Sequence, residues 1–260
     1  MTTKTEAQAT TVVLSPPGNA DQVVLAEWLD QAERDAGRGV SDKAEDLFAP
    51  LVYLLQSGSP QCDRRGNGYE GGEAGDFWLR GAIRPVRSGV EGLPVIPCGM
   101  TRTWLEFLPN RGGYVTQHDQ PPADMESRIS HDDSGNEKIV QVRRSNNNVI
   151  QDTRQFALLI DGQPYSLGCA GTKHTFARQW QTHFHQLRHP QTNGVLPVWA
   201  HKYLLTSIPV SNARGQRWFG LKFTDLGPVT LAEYNAGKRL AEIVARGSLR
   251  VETPTGSEAA

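Results

Sequence analysis

Between Asp161 and Asp225 the chain contains no aspartate and no glutamate. An ordinary solvated surface mixes both signs of charge, so this gap removes carboxylate ligands and carboxylate acid–base pairs from a quarter of the protein. Cysteine is scarce too. Cys62, Cys98 and Cys169 are widely spaced, with no C-x-x-C pair, which argues against a thiolate zinc site or a disulfide framework and fits a reducing cytoplasm. No apolar run approaches the ~18 residues of a membrane span, and the N-terminus lacks the basic start and apolar core of a secretory signal. These absences predict a cytoplasmic protein without membrane association.

Catalytic signatures are missing as well. The chain has no G-x-x-x-x-G-K-[ST], no H-E-x-x-H and no G-x-S-x-G, which excludes the common routes to nucleotide hydrolysis, zinc proteolysis and serine hydrolysis. The densest acidic cluster, Asp132 and Asp133 with Glu137, sits beside Ser134-Gly135-Asn136, the composition of a solvated turn. The expectation is a protein that is not an enzyme, with no cofactor and no metal.

What fills the acid-free stretch is more informative. It carries Lys173, Arg178, Arg188, Lys202, Arg214, Arg217 and Lys222, interleaved with Phe176, Trp180, Phe184, Trp199, Tyr203, Trp218, Phe219 and Phe223. The whole chain has a formal net charge of −1, yet residues 1–76 sum to −7 and residues 162–224 to +7. Such regional asymmetry steers a polyanion to one face. Cations alternating with π-faces suit a polymer of phosphates and stackable bases.

Local patterns set the order of elements. Residues 1–20 read as a flexible arm, and 21–49 as a helical extension in which Val24, Leu25, Trp28, Leu29 and Ala32 recur at helical spacing. Pro50 interrupts any helix over Leu47–Leu55, which favours a strand there. From Asp76, segments 76–86, 93–98 and 101–109 read as strands. Residues 110–153 form a long polar excursion, expected to be a functional loop or partly disordered. Residues 154–170 read as strand, Asp161-Gly162 turn, strand. A helix capped by Thr172 or Thr175 then carries Phe176, Ala177, Trp180, Phe184 and Leu187 before Pro190. Segments 201–211 and 217–226 form a hairpin, a C-terminal helix follows within 228–247, and 248–260 is a loose tail. Five strands with one helix between the third and fourth is the order of an OB-fold-like barrel, so the fold expected is mainly β with helices, centred on residues 50–227.

At this point four sets of residues resemble the single-stranded DNA-binding proteins of tailed bacteriophages. They are Gly75-Asp76-Phe77; Leu93-Pro94-Val95-Ile96-Pro97 with Trp104-Leu105-Glu106-Phe107, Pro109 to Gly113 and His118-Asp119; Thr172-Lys173 with Arg178-Gln179-Trp180; and the hairpin Ser211 to Phe219, followed by a helix with Tyr234. The resemblance covers about residues 50–247. It implies an OB-fold that coats single-stranded DNA in replication and recombination, in the host cytoplasm, with replication or recombination proteins as partners. Many proteins of that class end in a strongly acidic tail, whereas the last ten residues here hold only Glu252 and Glu258.

The candidate phosphate contacts are Lys173, Arg178, Lys202, Arg214, Arg217 and Lys222, with Arg80, Arg84 and Arg102 on earlier strands. The candidate stacking residues are Trp78, Trp104, Tyr203 and Trp218. Alternation along the last strand places Trp218 and Lys222 on one face and Phe219, Leu221 and Phe223 on the other. Trp180 and Phe184 read as core. The rival metal reading uses His185 and His189, four apart on the helix, with His174 or His201 as a third ligand. The rival functional class is a virion structural or assembly protein. The C-terminal helix has two open roles, packing on the barrel or self-association.

Overall fold

The computed structural model describes residues 48–63, 71–109, 113–131, 137–213, 215–246 and 250–251. The expectations for the N-terminal arm and the helix near 21–37, for Asn110 to Gly112, for Asp132 and Asp133, for Arg214 and for the last nine residues lie outside these. In chain order the elements are β1 (Phe48–Ala49), β2 (Val52–Leu54), β3 (Phe77–Leu79), β4 (Val86–Arg87), β5 (Leu93–Phe107), β6 (Tyr114–His118), β7 (Met125–His131), β8 (Glu137–Arg143), β9 (Val149–Ile160), β10 (Gln163–Ala170), α1 (His174–Gln186), β11 (His201–Ser211), β12 (Arg217–Pro228), α2 (Leu231–Ala245) and β13 (Arg250–Val251). Short 3-10 turns precede α1 and β11.

The main sheet is ordered β12-β11-β5-β9-β8-β7, with β10 also paired to β9 and β6 to β5. A second sheet is β2-β3-β4, and β1 pairs β13 in parallel. The sheets are open. The closed five-stranded barrel expected from the sequence is not formed, because β10 and β12 share no backbone ladder. The gap between them is spanned by residues 50–56. Ser166 N–H of β10 donates to the Pro50 carbonyl (2.9 Å), and the Gln56 side chain bonds to both backbone groups of Phe219 on β12.

The two segments expected as separate strands, 93–98 and 101–109, are one strand. A bulge between Pro97 and Gly99 absorbs the irregularity that looked like a break. Asp161 and Gly162 both have positive φ, 51° and 76°, which matches the two-residue turn joining β9 to β10. Neither Thr172 nor Thr175 caps α1. Its N-cap is Lys173, without a side-chain cap bond. Helix α2 instead has a full capping box between Thr230 and Glu233.

The principal core lies between α1 and the β5, β9, β10 and β11 strands. Phe156, Leu167, Trp180, Tyr203 and Leu205 are each wholly buried there. A smaller core seats α2 through Leu240 against Ile96, Cys98 and Leu159. Its Gly237 is required by close approach, since a Cβ there would meet Trp199 at 2.8 Å. Leu231, at the start of α2, is exposed.

The excursion from 110 to 153 is largely ordered as β6, β7 and β8. It escaped the alternation test because these strands face solvent broadly. Val142 is buried, whereas Ile129 and Ile139, paired across β7 and β8, are exposed. What organises the region is a carboxylate. Glu106 on β5 is 1% exposed. It accepts from Asn148 Nδ2 (2.6 Å), Asn146 Nδ2 (3.1 Å), His118 Nε2 (2.6 Å) and Arg143 Nη1 (3.4 Å). Burial alone would raise its pKa, but these donors more than offset it and hold the carboxyl at about 2. Arg143 in turn bonds Asp124, which accepts from Ser145.

Replacing Glu106 with alanine removes the shared acceptor of buried Asn148 and of half-buried His118 and Arg143, and should cost about 3 kcal/mol in urea unfolding. The folded pKa lies below the ordinary carboxylate value. The stability that Glu106 contributes is therefore present above that value and is lost as pH falls through about 2. An alanine variant as stable as wild type would refute the hub.

Candidate functional site

Above one face of the β5–β9–β10 sheet lies a cavity of about 570 Å³. Register explains its floor. Leu105 pairs Gln151, Thr153 pairs Ala170 and Gln155 pairs Gly168, so their side chains share a face. The opposite wall comes from residues 51–61, and Gln216, Trp218 and Phe219 of the final hairpin complete it. Gln56 locks that wall in place. Its Nε2 donates to the Phe219 carbonyl (3.1 Å) and its Oε1 accepts from the Phe219 N–H (2.9 Å).

Among the described residues no carboxylate lines the cavity, and the charged one that does is Lys173. Six glutamines contribute: Gln56, Gln61, Gln117, Gln151, Gln155 and Gln216. Lys173 is half-buried at the start of α1, whose first turn contains no acid. Burial pushes its ammonium below the ordinary lysine value. An anion entering here meets a cation without an ion-pair partner among the described residues, beside the positive end of a helix dipole. Trp218, half-buried, supplies an aromatic surface to the same space.

The other candidate residues fall into separate places. Arg178 on α1, and Arg217 and Lys222 on β12, are exposed, and Lys222 shares a face with Trp218. Arg84 is exposed in the turn before β4, while Arg80 is half-buried after β3. Arg102 is engaged, bonded to Asp152 through Nε (2.9 Å) and Nη2 (2.8 Å) and lying 5.0 Å above the Trp104 ring. Lys202 pairs with Glu233, the capping residue of α2, so its charge fastens that helix.

Three stacking candidates are corrected by burial. Tyr203 is wholly buried, with its ring edge-on to Trp180 and Phe184 at 5.6 and 5.7 Å. Trp78 and Trp104 are 7% and 8% exposed. Each sits on a strand among charged neighbours, and alternation alone did not reveal which face was covered. Trp180 and Phe184 belong to the core, as do Leu221 and, at its margin, Phe219 and Phe223.

The histidine pair does not form as expected. Helix α1 ends at Gln186, and His189 turns away to accept from the Gln191 and Thr192 N–H groups (3.2 Å each). His183 and His201 instead flank Asp225, at 3.2 and 3.0 Å. Among the described residues no group of histidine, cysteine or acidic side chains is arranged to hold a metal. None of the described helices is long and apolar enough to cross a membrane.

The chain belongs to the Pam3 phage gp34-like protein family. The match spans residues 19–250 and so covers the sheets, the cavity and both helices. It makes this a phage protein by family. No curated protein and no solved structure matches it.

Nothing in the sequence singles out the glutamines. Neutral amides leave no charge signal, and the six come from four separate segments. The Tyr203 hydroxyl is buried with no hydrogen-bond partner among the described residues. Tyr203→Phe should therefore be neutral or stabilising by about 1 kcal/mol in thermal or urea unfolding. A clear loss of stability would show that the hydroxyl is engaged.

Proposed function

We propose that this phage protein binds single-stranded DNA, as a non-enzymatic partner in phage DNA replication or recombination, and that the strand passes over the cavity beside β12. One observation carries the reading: the cavity brings a cation, Lys173, and a half-buried aromatic, Trp218, into one space with no acid among its described lining residues. Phosphate neutralisation and base stacking need that pairing, and a carboxylate in the lining would oppose it. Lys222, on the same face of β12 as Trp218, and Arg217 extend the positive surface along the hairpin. The strand order is a further support. β5 pairs with both β9 and β11, and α1 joins β10 to β11, an arrangement compatible with an OB-type sheet opened between its third and fifth strands.

Fluorescence anisotropy with labelled oligothymidylate at several salt concentrations tests the proposal. Binding should weaken steeply with salt, and Lys173→Gln should reduce the slope of log K against log salt by about 0.7. Trp218→Ala should cost about 1–3 kcal/mol of affinity. Because burial lowers the pKa of Lys173, its contribution should fade at a pH below the ordinary lysine range, and be lost from the glutamine variant. No binding at ~50 mM salt, where non-specific affinity is greatest, would overturn the proposal and leave virion assembly as the better reading.

A further inference from the structure

We propose that the cavity takes in one base of the bound strand and reads its hydrogen-bonding edge with glutamine carboxamides, so that the protein discriminates among bases at that position. This rests on the DNA-binding reading and goes beyond it, because phosphate contacts and stacking alone are sequence-tolerant.

The amides are not equivalent. Gln56 is consumed by the Phe219 backbone, and the Gln216 oxygen accepts from Asn212 Nδ2 (2.7 Å). Gln155 is 5% exposed, and its Oε1 accepts from the Ser166 hydroxyl (3.2 Å). That bond fixes the carboxamide plane and leaves its Nε2 hydrogens without a protein partner among the described residues. Gly168, directly opposite, keeps the space over Gln155 open. A Cβ there would lie 3.3 Å from Gln155 Oε1.

A second pair is set by register. Gln117 on β6 and Gln151 on β9 both lie opposite Leu105, one on each side, in a single cross-strand row. Neither side chain bonds another described residue. The row places them about 9–10 Å apart at the backbone, two strand spacings, with Gln155 further along β9 on the same face. The site thus offers amide donors and acceptors from two directions.

The ligand class follows from what this lining matches. A carboxamide presents a donor and an acceptor in one plane, which is how glutamine pairs with a base edge. Single-stranded bases expose those edges for such reading. Trp218 provides the stacking surface and Lys173 a phosphate contact, while the lack of any acid disfavours a cationic ligand. The volume, about 570 Å³, falls within the range of about 300–1,000 Å³ typical of sites that enclose small molecules.

The experiment compares labelled homo-oligonucleotides of the four bases, equal in length, by anisotropy on the full chain. Wild type should prefer one base by about tenfold, the effect of one amide–edge pair. The Gln151→Ala/Gln155→Ala variant should reduce that preference to about twofold or less while keeping the wild-type salt slope, since no phosphate contact is removed. Gln117→Ala and Gln151→Ala singly, both away from the buried Ser166 contact, should each lower the preference even if the double variant folds poorly. Equal affinity for the four oligonucleotides, or a preference unchanged in all these variants, overturns base reading while leaving DNA binding intact. Failure of wild type to bind any of them overturns both.

Discussion

The arrangement depends on how an open edge is covered. Strands β10 and β12 do not pair, and an unpaired edge exposes a row of N–H and C=O groups. Residues 50–56 bridge the two, using backbone at one end and the Gln56 side chain at the other. Because Gln56 both donates and accepts, it acts as one rung of a sheet ladder without belonging to a strand. It sets the distance between the 51–61 segment and the hairpin carrying Trp218. The cavity exists because that distance is fixed while β10 and β12 stay apart.

The far wall has a different origin. Gln117 stands on β6, and β6 is held against β5 partly by the contact between His118 and buried Glu106. The same carboxylate gathers Asn146, Asn148 and Arg143 from the turn and strand leading into β9. A buried charge of this kind tolerates no vacancy among its donors. The polar meander is thereby fixed to the floor of the cavity, and the proposed base-reading amides stand on rigid strands.

Periodicity made some of this legible and not the rest. The helices α1 and α2, the β9–β10 turn and the β11–β12 hairpin follow from 3.6- and 2-residue patterns with identifiable turn residues. The strands between 113 and 143 do not, because a carboxylate with four donors, not an apolar face, holds them. Lys173 and Trp218 could be picked out by charge and aromaticity, and the fold brings them to one space. Lys202 has the same sequence signature but is consumed by Glu233, and Tyr203 by the core. Nothing local to those residues separates the two outcomes. The partner acid is 31 positions away, and burial depends on where α1 docks. Glutamines, uncharged and scattered, were invisible as a set.

The proposed function concentrates on one place, where a strand would meet Lys173, Trp218 and the free amides together. Ultraviolet crosslinking of an oligonucleotide containing 5-iododeoxyuridine, with the modified peptides identified by mass spectrometry, locates that place without altering the protein. The account predicts crosslinks at Trp218 or Phe219 and along the cavity lining. Crosslinks confined to the β7–β8 hairpin or the outer face of α1 would contradict it.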